Sequence, residues 1–221
     1  MAWIELKAAD GHTLQAWEAR PTGASRGAVV VLQEIFGVNS HIRAVCDRLA
    51  AQGWLAVAPA LFDRVARGRE LGYDQAGMAA GRAGKEQVGE EAALRDVQAA
   101  ISHAAAAGKV AVLGFCWGGT LAWLAAARLS GVACGIAYYG TAIHAHQHER
   151  PRVPMLLHFG EQDAHIPPEH VREIAAAHRE LPIYRYDAGH GFNCDQRAAF
   201  HAPSAALAGE RTQHFLESHR C

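Results

Sequence analysis

Short apolar runs alternate along the chain with longer stretches in which apolar positions return every three or four residues. The first pattern predicts strands and the second predicts helices. Residues 3–7 and 13–19 flank Asp10-Gly11, a turn dipeptide, and read as two strands of an antiparallel hairpin. Ala28-Val29-Val30-Val31-Leu32 is continuously apolar and largely β-branched, the pattern of a strand buried on both faces. Similar runs recur at 55–58, 110–115, 135–139, 155–160 and 183–186. Helical periodicity occupies 41–52, 86–107, 118–130, 168–179 and 204–218. Strand–helix alternation over most of the chain predicts an α/β fold. Its central sheet is mainly parallel and covered by helices on both faces, with the initial hairpin as antiparallel edge strands. No repeat or low-complexity linker divides the sequence, so 1–221 reads as one domain. Residues 62–85, with five glycines and many charges, are the least regular part. They read as exposed loop, or as a loop or short helix covering a site.

Composition narrows the classes. A chain of 221 residues suits one substantial core. The formal net charge is -1 with no run of like charges, which gives no bulk electrostatic hold on nucleic acid or an anionic membrane. The N-terminus has no basic n-region or apolar h-region, and no segment reaches the roughly 18 apolar residues of a membrane span. Five cysteines (46, 116, 134, 194 and 221) form no CxxC pair, and the odd count argues against a disulfide framework. The expectation is a soluble, reduced, cytoplasmic protein, monomeric or a small homo-oligomer, with a small-molecule partner.

The most informative segment is Val110-Ala111-Val112-Leu113-Gly114-Phe115-Cys116-Trp117-Gly118-Gly119. A buried strand runs into G-x-C-x-G-G and a helix follows at once, which is a nucleophile elbow carrying sulfur. Strand and helix pass close together there, so the positions two before and two after the nucleophile must be small. Gly114 and Gly118 meet that need. The turn also aims the side chain at a helix N-terminus, where unpaired N–H groups favour the thiolate, the reactive form. A free cysteine is otherwise most often a buried small hydrophobe.

Partners follow in the order nucleophile, acid, histidine. Asp163 lies in a short polar loop after the 155–160 strand, on the ligand side of an open sheet, with Glu161 as competitor. The alternative for either acid is a turn or helix cap. Ala188-Gly189-His190-Gly191-Phe192 follows the 183–186 strand and is the only histidine of the fourteen flanked by glycines after a strand. His144-Ala145-His146-Gln147-His148 reads as an exposed polar loop in preference to a metal site.

Together, Gln33-Glu34-Ile35-Phe36-Gly37, Gly114-Phe115-Cys116-Trp117-Gly118-Gly119, the 160–163 loop and Gly189-His190-Gly191-Phe192 resemble the dienelactone hydrolase family of α/β-hydrolases, the carboxymethylenebutenolidases. The resemblance spans nearly the whole chain in order. It implies hydrolysis of a lactone or ester through a thioester, with Cys116 as nucleophile and His190 and Asp163 completing a triad. It further implies that Glu34 holds the thiol proton at rest, although a strand-end acid paired with an arginine is the plain alternative. Backbone N–H groups of Ile35 and Trp117 would form the oxyanion hole, and no metal or organic cofactor is implied. The family binds a substrate carboxylate with arginines, one of them four residues after the histidine, where this chain has Cys194. Arg197 and Arg82 are the candidate substitutes, and Arg64 is a weaker one. Rival readings remain open from sequence: within the hydrolases a general carboxylesterase, and from other classes a thiol redox protein in which Cys194 resolves oxidised Cys116, or a non-catalytic member that keeps the pocket as a binding or regulatory module.

Overall fold

The predicted hairpin forms from Ala2–Lys7 (β1) and Thr13–Ala19 (β2), antiparallel, with Leu6 opposite Leu14. These elements come from a computed structural model that describes residues 1–219. The chain then builds Ala28–Leu32 (β3), Ser40–Ala51 (α1) and Leu55–Pro59 (β4). Gln75–Val88 (α2), Glu90–Ala104 (α3), Val110–Phe115 (β5), Trp117–Arg128 (α4) and Val132–Tyr138 (β6) follow. Met155–Gly160 (β7), Pro168–Ala177 (α5), Ile183–Tyr186 (β8) and Ala202–His219 (α6) complete it. The eight strands form one sheet in the order β1-β2-β4-β3-β5-β6-β7-β8. β2 joins β4 antiparallel, and every neighbour from β4 to β8 is parallel. Strands β3, β4, β5 and β7 are buried along their whole length, as continuous apolar runs covered on both faces must be.

The segment after β4 departs from the sequence expectation. Residues 62–85 are only partly loop, since Leu61–Arg64 forms a 3-10 turn and Gln75 begins α2. The Asp74 side chain caps that helix by accepting from the Gly77 amide. The glycines hid this helix because glycine is a weak helix former. Their role is close approach: a side chain at Gly81 would collide with the Ile35 carbonyl. The single helix expected over 86–107 is likewise two helices, divided at Gly89 with φ +71°. A left-handed turn suits glycine and ends α2 there.

Arg64 leaves the list of substrate-binding candidates. Its guanidinium reaches Asp96 on α3 at 2.7 Å and Asp10 at 2.9 Å, and the Asp96 side chain is fully buried. It ties the 3-10 turn to the helix layer and the hairpin turn. Removing one partner strands the other in a buried setting. Arg64→Ala, which leaves the fully buried Asp96 carboxylate without its guanidinium, is therefore expected to lower stability by about 3–5 kcal/mol, read from the urea midpoint. An unchanged midpoint would show that the pair is dispensable.

Cys46, Cys116 and Cys194 are free and buried. Among the described residues no helix is long and apolar enough to cross a membrane.

Candidate active site

The carboxyl ends of the parallel strands bring the candidate residues together, as expected for ligands of an open α/β sheet. Cys116 sits between β5 and α4 with φ +54°, a left-handed conformation that a residue with a β-carbon adopts only under constraint. Three contacts hold it there. Its amide donates to the Tyr138 carbonyl at 3.0 Å, and its carbonyl accepts from Thr120 at 3.2 Å. The Gly118 amide donates to the Gln33 carbonyl at 3.1 Å. A side chain at Gly114 would strike the Gly118 carbonyl, and one at Gly118 would strike Leu32. The elbow is thus built by its glycines, as the sequence pattern predicts.

The loop after β7 carries Asp163 and the loop after β8 carries His190. His190 Nδ1 lies 2.7 Å from Asp163 Oδ2, and both side chains are almost wholly buried. The other Asp163 oxygen accepts from the His165 amide at 2.7 Å, so the carboxylate is held from two sides. The Cys116 sulfur lines the same cavity and acts on the imidazole. Burial pulls its pKa down, but the Asp163 hydrogen bond and the Cys116 sulfur outweigh it and raise the imidazole to about 10. Glu161 is exposed and lies near Arg185 at 3.7 Å, outside this constellation.

Glu34 is placed otherwise than the resemblance implies. Its Oε1 accepts from Arg197 Nη1 at 2.9 Å, and its buried Oε2 has no hydrogen-bond partner among the described residues. The carboxylate is thus restrained by the arginine and makes no hydrogen bond to Cys116. Arg197 is the candidate that sequence placed one turn beyond Cys194, and here it is already paired. Cys194 lies off the cavity wall, 3.3 Å from the Tyr73 hydroxyl.

A cavity of about 440 Å³ opens above Cys116 and His190, walled by Ile35, Trp117, Arg82 and Arg197. Ile35 and Trp117 donate their amides to no backbone carbonyl among the described residues. α2 supplies one wall through Met78, Arg82, Lys85 and Glu86, so the glycine-rich segment does cover the site, as a helix. A groove of comparable size between β7, β8 and α6, lined by Met155, Tyr184 and Phe215, contains none of the candidate residues.

Sequence reasoning missed several neighbours. Lys85 joins Arg82 on one helical face, a spacing invisible while the segment read as loop. His165 stands edge-on to His190 with ring centroids 4.9 Å apart, and Tyr139 does so at 5.0 Å. Tyr139 has φ +40°, which no local pattern signals. His144 and His146 pair with Glu173 at 2.7 Å and Glu149 at 3.1 Å on the surface, in keeping with a polar loop.

The family model of the dienelactone hydrolase family matches residues 14–220. The chain belongs to that family. A carboxymethylenebutenolidase of Pseudomonas putida is 35% identical over 224 residues, covering 96% of this chain and 94% of that protein. A putative carboxymethylenebutenolidase of Synechocystis is 36% identical over 86% of this chain and 85% of its own. The crystal structure of a putative dienelactone hydrolase from Klebsiella pneumoniae superposes with a TM-score of 0.80 at 32% identity, covering 96% of this chain and 97% of that one. Membership makes this dienelactone hydrolase family protein a hydrolase, with the sheet, hairpin and helices of the α/β-hydrolase fold.

Proposed function

We propose that this hydrolase opens a lactone or ester through a thioester on Cys116. The observation that carries this reading is the Cys116–His190–Asp163 line at the floor of the cavity, with His190 raised to about 10. An imidazolium beside the sulfur stabilises the thiolate. The thiolate attacks the carbonyl carbon, and the oxyanion that forms is met by the Ile35 and Trp117 amides. Each such donor is worth about 2.7–4 kcal/mol in the transition state. His190 then gives its proton to the departing alkoxide, leaving the acyl group on sulfur. Neutral His190, oriented by Asp163, takes a proton from water, and the resulting attack releases the acid and the Cys116 sulfur. No step calls on a metal or organic cofactor.

The cavity favours a substrate with an anionic group. Arg82, Lys85 and Arg197 line it against one acid, Glu86. A substrate carboxylate near Arg197 would compete with Glu34 for the guanidinium. A second reading, a carboxylesterase of neutral esters, draws on the pairing of Arg197 with Glu34, which leaves Arg82 and Lys85 as the cations without that tie.

Hydrolysis of dienelactone beside a neutral p-nitrophenyl ester separates the two. A charged hydrogen bond contributes about 1.5–3 kcal/mol. Arg82→Ala is therefore expected to reduce kcat/KM roughly ten- to a hundredfold for the anionic lactone and to spare the neutral ester. Equal losses on both would move the anion away from Arg82. Turnover of the neutral ester alone by the unaltered enzyme would favour the carboxylesterase.

A further inference from the structure

Beyond the triad, one other group of metal-ligating side chains converges among the described residues: His41, Cys194 and Asp195, whose ligand atoms all lie within 4.8 Å of one another. His41 is the second residue of α1. Cys194 and Asp195 lie on the segment that runs from His190 to Arg197. His41 and Asp195 are 154 residues apart, which is why no sequence motif announces the cluster. His41 Nδ1 is 3.3 Å from Asp195 Oδ1, a contact at the long end for a hydrogen bond. Its Nε2 is buried and has no hydrogen-bond partner among the described residues. The imidazole is wholly buried, and so is the thiol, whose hydroxyl neighbour, Tyr73, is 3.3 Å away.

We propose that His41, Cys194 and Asp195 bind one divalent cation of borderline softness, with Zn²⁺ the best fit. Thiolate, imidazole and carboxylate are the donor types zinc takes, and bonds of about 2.0–2.3 Å to a tetrahedral ion set donor atoms about 3.3–3.8 Å apart. The His41–Asp195 pair already has that separation, so the thiol alone needs to close in. Softer sulfur and nitrogen donors select against Mg²⁺ and Ca²⁺, which prefer oxygen. Two anionic ligands and one neutral one balance the charge of the ion. The thiol proton leaves to solvent as the metal binds. Asp195 has a side chain 52% exposed and gives the ion its way in, and water completes the fourth position. Binding fastens the His190–Arg197 segment to the start of α1. The site is separate from the proposed hydrolytic chemistry, which uses no metal.

Cobalt(II) titration tests this, because a cobalt–thiolate bond gives a near-ultraviolet charge-transfer band and tetrahedral coordination gives strong visible bands. The triad also offers a thiol, an imidazole and a carboxylate, so the full-length protein is compared with Cys116→Ser, Cys194→Ser and Asp195→Asn. The expected result is one cobalt per chain, displaced by Zn²⁺. Its charge-transfer band survives Cys116→Ser and disappears in Cys194→Ser. Asp195→Asn, at an exposed position that folding tolerates, should weaken affinity at least about tenfold. A band that survives Cys194→Ser and vanishes in Cys116→Ser would place the metal on the triad and overturn the proposal. So would the absence of any stoichiometric binding, or an Asp195→Asn affinity equal to the unaltered protein's.

Discussion

Replacing Cys116 with alanine is expected to remove ester hydrolysis almost entirely, with kcat falling about 10⁴–10⁶-fold. The reason lies in what remains once the sulfur is gone. The oxyanion amides and the cavity persist, so a residue of catalysis by binding and polarisation survives. Neither of the other free thiols among the described residues can take over: burial pushes Cys194 up to about 11 and Cys46 higher still, and neither lines the cavity. Cys116→Ser keeps the elbow and separates the loss of sulfur from the loss of structure. The check is initial-rate hydrolysis of a p-nitrophenyl ester by all three proteins, matched for fold by circular dichroism. Retained turnover in Cys116→Ala would remove the nucleophile from this account.

The second large effect belongs to Asp163. Asp163→Asn is expected to lower kcat about 10⁴-fold, since asparagine can present its amide to His190 and turn the ring's lone pair the wrong way. It should also change the pH profile, and the sign follows from His190. The folded pKa, about 10, lies above the unfolded value near 6.5. The charged imidazolium therefore contributes stability in full below pH about 6.5, and loses it as pH rises through about 10. Activity that depends on the imidazolium–thiolate pair should decline over the same alkaline range. Without Asp163, burial is left opposing the charge, so the alkaline limb should move to lower pH. A limb that stays in place in Asp163→Asn would mean that another group sets it.

Most of the proposed Cys116–His190–Asp163 line is legible in the sequence because its causes are local. An apolar strand, two glycines and a helix force the turn at Cys116, and that grammar is written in consecutive residues. Asp163 and His190 were found through strand ends and flanking glycines, which again need no knowledge of distant contacts. The parts that escaped depend on neighbours remote in sequence. Gly77, Gly81 and Gly84 weaken helix propensity, so the sequence favours loop over the short-helix alternative for α2, and its closeness to Ile35 appears only in three dimensions. Glu34 was assigned to the thiol, yet Arg197 reaches it from 163 residues away. Arg64 could be discarded only once Asp96 was seen beside it, and Tyr139 only became notable through its backbone angle. His41 and Cys194 carried no sign that they meet.

The most direct test of the central claim is to catch the acyl group. Mixing the enzyme with excess p-nitrophenyl acetate, quenching in acid within the first turnovers and measuring intact mass should show one added acetyl group. Peptide mapping should place it on Cys116, and neutral hydroxylamine should remove it, as for a thioester. Cys116→Ala should acquire none. An acetyl group on another residue, or hydrolysis at full rate with no adduct under conditions where deacylation is slowed, would contradict the account.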